Sequence, residues 1–275
     1  MRQHRKAALF LAAAMSGLLL LSGCSSQDVG ASQSAGDQLA QIRERGEIVI
    51  ALEGTWSPWN YHDEDGTLTG YDVEVGRLIA QELGVEATFV EGQWDGLFAG
   101  LDSGRYDMVI NGVDVDEDRQ ERYDFSTPYA YNRTVIIVRG DNTDINSFED
   151  LDGKTTANTL ASTYATLAES YGATATGVDD LLQTIELLEA GRIDATLNAE
   201  VTFYDYMDQH PEADLRVAAV SDDANPIAIP LRKGEESASL REAVDQALAD
   251  LSASGQLSEL SQQFFGVDIS QPSAE

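Results

Sequence analysis

From Glu47 to Asn111 short β-branched runs alternate with amphipathic stretches, and that alternation leaves few folds open. Glu47-Ile-Val-Ile-Ala-Leu52 reads as a strand, and Gly70 to Leu83 as a helix with Val73, Leu78, Ile79 and Leu83 on its buried face. Thr88 to Glu91 reads as a second strand, the run from Gln93 as a second helix, and Arg105 to Asn111 as a third strand. The order β-α-β-α-β implies a parallel sheet with crossover helices, hence an α/β fold. Ligands of such sheets sit beyond the carboxyl ends of the strands. The stretch that leaves the third strand, NGVDVDEDRQERYDFSTPY from Asn111 to Tyr129, is read as an acidic loop ending in a hydrophobic corner at Phe125, Pro128 and Tyr129. The planar fork of Arg119 in this loop matches a carboxylate in two parallel hydrogen bonds and keeps its charge when desolvated. Alternatively Arg119 neutralises Asp116, Glu117 and Asp118 on a solvated loop.

A second run of the same kind follows. Thr134 to Arg139 is a strand, Asn146 to Gly153 a short helix, Thr155 to Thr159 a weak strand, and Tyr164 to Tyr171 a helix capped by Ala161-Ser-Thr163. Free N–H groups at that helix start also suit a carboxylate. Val178 to Ala190 is amphipathic, Gly191 to Asn198 and the run from Leu215 are strands, and Pro226 to Leu231 crosses back. The last helices, Ser237 to Ser254 and Ser258 to Phe265, return to the first lobe with Phe264 and Phe265 as core anchors. The expected division is a leader over 1–23, a flexible tether over 24–36, lobe one over 37–133 plus 233–268, lobe two over 134–232, and a frayed tail from Asp268, disordered over 269–275.

The amino terminus reads as an address. Arg2, Arg5 and Lys6 precede an apolar run from Ala7 to Leu21 that is short for a spanning helix, and Cys24 is the chain's single cysteine. Residues 25–36, SSQDVGASQSAG, have the composition of a tether. Removing residues 1–23 takes three of the 17 basic residues, leaving 14 against 48 acidic ones, a formal charge of −34. Such a surface repels phosphates, so nucleic acid is not expected as a partner. No zinc-ligand spacing, P-loop or nucleophile-histidine-aspartate order occurs, and beyond the leader only His62 and His210 remain. No catalytic residue, metal or cofactor is expected.

Aromatic residues on loops complete the reading. Glu53-Gly-Thr-Trp-Ser-Pro-Trp-Asn-Tyr61 holds two of the three tryptophans. Trp59 and Tyr61 suit the edge of a core, Trp56 suits a wall against ligand, and Trp94 at a strand-helix junction is a second wall candidate.

Several of these stretches resemble one family. Gly112 to Arg119 and Asp124-Phe-Ser-Thr-Pro-Tyr129 resemble the signature of the family 3 extracellular solute-binding proteins, the polar amino acid receptors of ABC importers. Gly70-Tyr-Asp-Val-Glu-Val and Gly191-Arg-Ile-Asp-Ala resemble further family segments, and Leu21-Ser-Gly-Cys24 resembles a lipobox. The resemblance implies two Rossmann-like lobes joined by a two-strand hinge, similar to type II periplasmic binding proteins, with ligand in the interlobe cleft. It implies that Arg119, with Ser162 and Thr163, holds the ligand carboxylate, and that Glu53 and Trp56 line the site, the aromatic stacking on the ligand side chain. Trp94, Asn111, Gly112, Thr159 and Asn198 complete the candidate set. Four positions depart from the pattern: Ala199 stands where the family has an ammonium-binding aspartate, Asp114 where it has Ser or Thr, Asp116 where it has Thr, and Ala161 where it has Gly. The ammonium anchor has then moved to Asp114, or Glu53 supplies it, or the ligand has no such amine.

The implied protein is a lipoprotein anchored through Cys24 outside the cytoplasm, a monomer that delivers a polar amino acid, cystine-like or related, to a permease and ATPase. A sensory binding module, or a dehydratase on the same fold, are the alternatives.

Overall fold

The strand Glu47–Leu52 lies between Glu86–Glu91 and Met108–Val109, parallel to both, in a computed structural model that describes residues 36–272. Ile48 and Ile50 enter one core with Trp59, Tyr71 and Ile79, while Ala51 enters another with Leu97, Leu101 and Val109. A strand covered on both faces needs this near-continuous apolar run, because successive side chains point to opposite sides. The sheet goes on through Pro230–Arg232 and Tyr123–Phe125, with Pro230–Arg232 antiparallel to both of its neighbours. The expected parallel order therefore holds for the first three strands, and the returning chain makes the sheet mixed.

The second lobe is built on Thr134–Arg139, antiparallel to Thr196–Ala199 on one side and to Leu215–Val220 on the other. Thr155–Asn158 pairs in parallel with Thr174–Gly177, and a bridge from Thr156 to Ala195 ties the two sheets together. Val135 and Ile137 face Ile185, Leu188 and Phe203, and Ile136 and Val138 face Leu151 and Ala168. Two crossing strands connect the lobes, Ala130–Asn132 and Asn225–Ile227, paired antiparallel. Among the described residues no helix is long and apolar enough to cross a membrane.

Several expectations need correction. The acidic loop after Asn111 contains a helix, Glu117–Arg122, whose N-cap Asp116 accepts from Arg119 N at 2.8 Å. It has no buried residue, so no apolar period could announce it. A second unexpected helix, Glu200–Gln209, starts directly after its strand and buries Val201, Thr202 and Phe203. The strand expected over 105–111 contributes only Met108–Val109 to the ladder, and that expected over 191–198 only Thr196–Ala199. The chain does not fray at Asp268, since Tyr131 N donates to Ile269 O at 2.7 Å, Ile269 N donates to Ser261 Oγ at 2.8 Å, and Ser270 is buried. Residues 1–35, Cys24 and the leader included, and residues 273–275 lie outside the described residues.

Candidate functional site

One wall of the cleft begins where the first strand ends. Glu53 N donates to Asn111 Oδ1 at 2.7 Å, and Asn111 Nδ2 returns a bond to Glu53 Oε2 at 2.8 Å. Asn60 Nδ2 donates to Asn111 Oδ1 at 3.1 Å and to Asp72 Oδ2 at 3.0 Å, and Tyr129 Oη donates to Asp72 Oδ1 at 2.7 Å. A polar chain thus runs from the cleft through the first lobe to Tyr129, next to the crossing strand Ala130–Asn132. Trp56 stacks on buried Trp59 with ring centroids 5.4 Å apart, which fixes it as a wall. Gly112 sits under that wall at φ 51°, and a Cβ there would stand 2.6 Å from the Trp56 ring. A side chain at 112 would therefore push the wall out of place.

The second lobe supplies the facing wall from strand ends and helix starts. Asn158 closes the strand Thr155–Asn158, Thr159 follows it, Thr163 and Tyr164 open the helix Thr163–Ser170, and Asp180 caps the helix Leu181–Glu189. With Glu53, Trp56, Trp94, Asn111, Gly112, Asp114, Ser162 and Asn198, they line a cavity of about 590 Å³, mouth included.

The cavity is acidic. Burial raises the Glu53 carboxyl from 4.5 to about 7, with the charges of Asp180 and Asp95 adding to the rise and the Asn111 hydrogen bond opposing it. Asp72 is likewise raised by burial from 3.8 to about 7. Asp114 is pushed up by burial, against the Thr163 hydroxyl bond and the Arg119 charge. Thr163 Oγ1 donates to Asp114 Oδ2 across the cleft.

Ten of the eleven residues expected at the site line this cavity, and Arg119 does not. Arg119 lies behind Asp114 in an adjoining, wider cleft that it shares with Ser162 and Thr163. Its Nη1 donates to Asp114 O at 2.9 Å, its Nη2 to Ala161 O at 3.1 Å, and its Nε pairs with Asp116 at 3.2 Å. The guanidinium also stacks on Trp94 and Phe98, 5.3 and 5.6 Å from their centroids. It spans both lobes while also neutralising its own loop through Asp116. Ser162 acts as a cap, its Oγ donating to Thr159 O at 2.6 Å and accepting from Ala165 N at 3.2 Å. Ala199 is fully buried and does not face the cavity. Asn158, Tyr164, Asp180 and Thr184 line the cavity and were not expected there. Asp180 had a legible signal, because Asp followed by Gln three residues on is a helix-start pattern, realised as Gln183 N donating to Asp180 Oδ1 at 2.9 Å.

The sequence profile of the bacterial extracellular solute-binding proteins, family 3, matches residues 48–267. The chain belongs to this family. Among its family 3 relatives, the L-cystine-binding protein TcyA of Bacillus subtilis (strain 168) is 38% identical over 236 residues, covering 86% of this chain and 87% of TcyA. An ancestral arginine-binding protein bound to arginine is 31% identical, with a TM-score of 0.75 over 81% of this chain and 99% of that one. The L-cystine solute receptor of Neisseria gonorrhoeae, in its unliganded open conformation, is 38% identical but superposes with a TM-score of 0.57, over 85% of this chain and 98% of that one. The more distant sequence gives the nearer shape, which agrees with the lobe-to-lobe contacts of Thr163 and Arg119 in this protein.

Proposed function

We propose that this family 3 protein captures a polar amino acid in the cavity between Glu53 and Thr163 and presents it to the permease and ATPase of an ABC importer. The carrying observation is the composition of the cavity wall: aromatic and acidic groups from one lobe face hydroxyls, amides and a helix start from the other, so only a closed cleft brings them together. The lobes are taken as 37–133 plus 233–268 and 134–232, except that Pro230–Arg232, a strand of the first lobe's sheet, goes with lobe one; they are hinged at the two crossing strands. Asp114 stands in for the aspartate absent at 199 and takes the ligand's ammonium, and the carboxylate goes to the start of the helix Thr163–Ser170, where Arg119 meets it by exchanging its present bond to Ala161 O for the ligand. The cystine named for TcyA and the gonococcal receptor, and the arginine named for the ancestral protein, define the class of ligand to try first. A thermal-shift screen against amino acids tests the reading, since a ligand at ~100 times its Kd adds ~2.7 kcal/mol. Stabilisation by at least one amino acid is expected; an unmoved melting temperature across the whole set, cystine and arginine included, would contradict it.

The same proposal places the protein, as a monomer, on the outer face of the cell membrane through a lipid on Cys24, with residues 25–36 as the tether. Replacing Cys24 with serine should release the protein from washed membranes. Retention of Cys24→Ser in the membrane fraction would place the anchor elsewhere.

A further inference from the structure

The charge of the cavity wall does not match a ligand of zero net charge. Glu53, Asp114 and Asp180 all reach it, and no lysine or arginine among the described residues does. The nearest guanidinium, that of Arg119, has a donor on each of its three nitrogens committed to Asp114 O, Ala161 O and Asp116. Asp114 is met by the hydroxyl of Thr163 and backed by Arg119, so the uncompensated charge lies at the other end, between Glu53 and Asp180.

A second observation at that end points the same way. Asn158 is only 5% exposed and lines the cavity, and its Nδ2 donates to Leu197 O at 2.8 Å, which turns Oδ1 the other way. Asn158 Oδ1 is buried with no partner. An acceptor left unpaired in a buried place is costly unless a donor comes to it. Val178 N donates to Asn158 O at 3.3 Å, which holds this amide beside the chain that leads into Asp180. Asp180 carries its own bonds, from Gln183 N at 2.9 Å and Gln183 Nε2 at 3.2 Å, and each carboxylate oxygen retains a further lone pair. Trp56, Trp94 and Tyr164 line the same cavity, and aromatic faces attract cations.

We propose that the cavity selects an amino acid of net positive charge, whose side-chain cation is held between Glu53 of the first lobe and Asp180 with Asn158 Oδ1 of the second. This rests on the reading of the cavity as an amino acid site. Asp180 is then a specificity-determining residue: it contributes to a cationic side chain and little to a neutral one. The Glu53 carboxyl, raised chiefly by burial and further by the charges of Asp180 and Asp95, is consistent with this, because a cation brought beside it favours its charged form.

Arginine and citrulline separate the two ideas, since they share one shape and differ in side-chain charge. Calorimetry with the purified full chain should show arginine binding at least about tenfold tighter than citrulline, and Asp180→Asn should weaken arginine about tenfold while changing citrulline less than about twofold. Asp180→Glu, which keeps the charge, should retain the preference for arginine over citrulline and guards against a fold defect in a single variant. Citrulline or cystine binding as tightly as arginine would overturn the inference and leave the amino acid site standing. Equal weakening of arginine and citrulline by Asp180→Asn would assign Asp180 to helix capping and overturn it as well. Absence of binding by every amino acid tried would overturn the site reading itself, and the inference with it.

Discussion

Glu53 and Asp72 sit at the two ends of the Asn111–Asn60 relay, and both are raised by burial to about 7, from 4.5 and 3.8. A carboxyl whose folded pKa exceeds its unfolded value favours folding while protonated. Its contribution is present below the unfolded value and is lost as pH rises through about 7. The melting temperature should therefore fall between pH 5 and pH 8, and Glu53→Gln should remove part of that slope while Asp72 keeps the rest. Thermal scans across this range check it, and a melting temperature that is flat or rises with pH would contradict the burial of these two groups. Arg119 gives the second prediction at this scale. Arg119→Lys keeps the charge and loses the fork, which in the proposed carboxylate role costs ~2–5 kcal/mol, about 30-fold to several thousand-fold in affinity. Unchanged affinity in that variant would make Arg119 a loop counter-charge and lobe tie only.

At the scale of elements, the helix Glu117–Arg122 shows how local chemistry positions the site. It has six residues and buries none of them, so apolar packing does not hold it. Asp116 holds both its first turn, through Arg119 N, and the Arg119 side chain, through Nε at 3.2 Å. Asp116→Ala should destabilise the protein by ~1 kcal/mol in denaturant titrations, the usual magnitude for a lost cap. A loss well below that would mean the turn is held by Arg119 bridging to Ala161 O. The same helix marks where sequence reading stops. The buried strands were legible because Ile48, Ile50, Val135 and Ile137 carry a period that solvent exclusion enforces. A polar helix fixed by one carboxylate has no such period. The site was legible on the first lobe, where a strand end, two tryptophans and Gly112 fall within short stretches of chain. On the second lobe Thr159, Ser162, Thr163 and Asn198 were read through the family resemblance, whereas Asn158 and Asp180 come from a strand end and a helix start far apart in the chain, which the pairing of Val178 N with Asn158 O brings together. Arg119 was placed correctly along the chain, but where its fork points depends on Asp114 O and Ala161 O, backbone groups that carry no residue code.

For the whole molecule, the account requires that a ligand enter the cleft and be gripped from both lobes. All three tryptophans stand at that place: Trp56 and Trp94 line the cavity, and Trp59 stacks behind Trp56 at 5.4 Å. Trp94 Nε1 is buried without a partner on the described residues, so its indole is sensitive to any acceptor that arrives. The most direct measurement is a titration of intrinsic tryptophan emission with an amino acid that raises the melting temperature. A saturable change in emission is expected, with the same Kd as calorimetry, and Trp56→Phe should reduce its amplitude. A ligand that stabilises the protein and binds in the calorimeter while leaving the tryptophan emission unchanged would be bound outside this cleft, and would contradict the account.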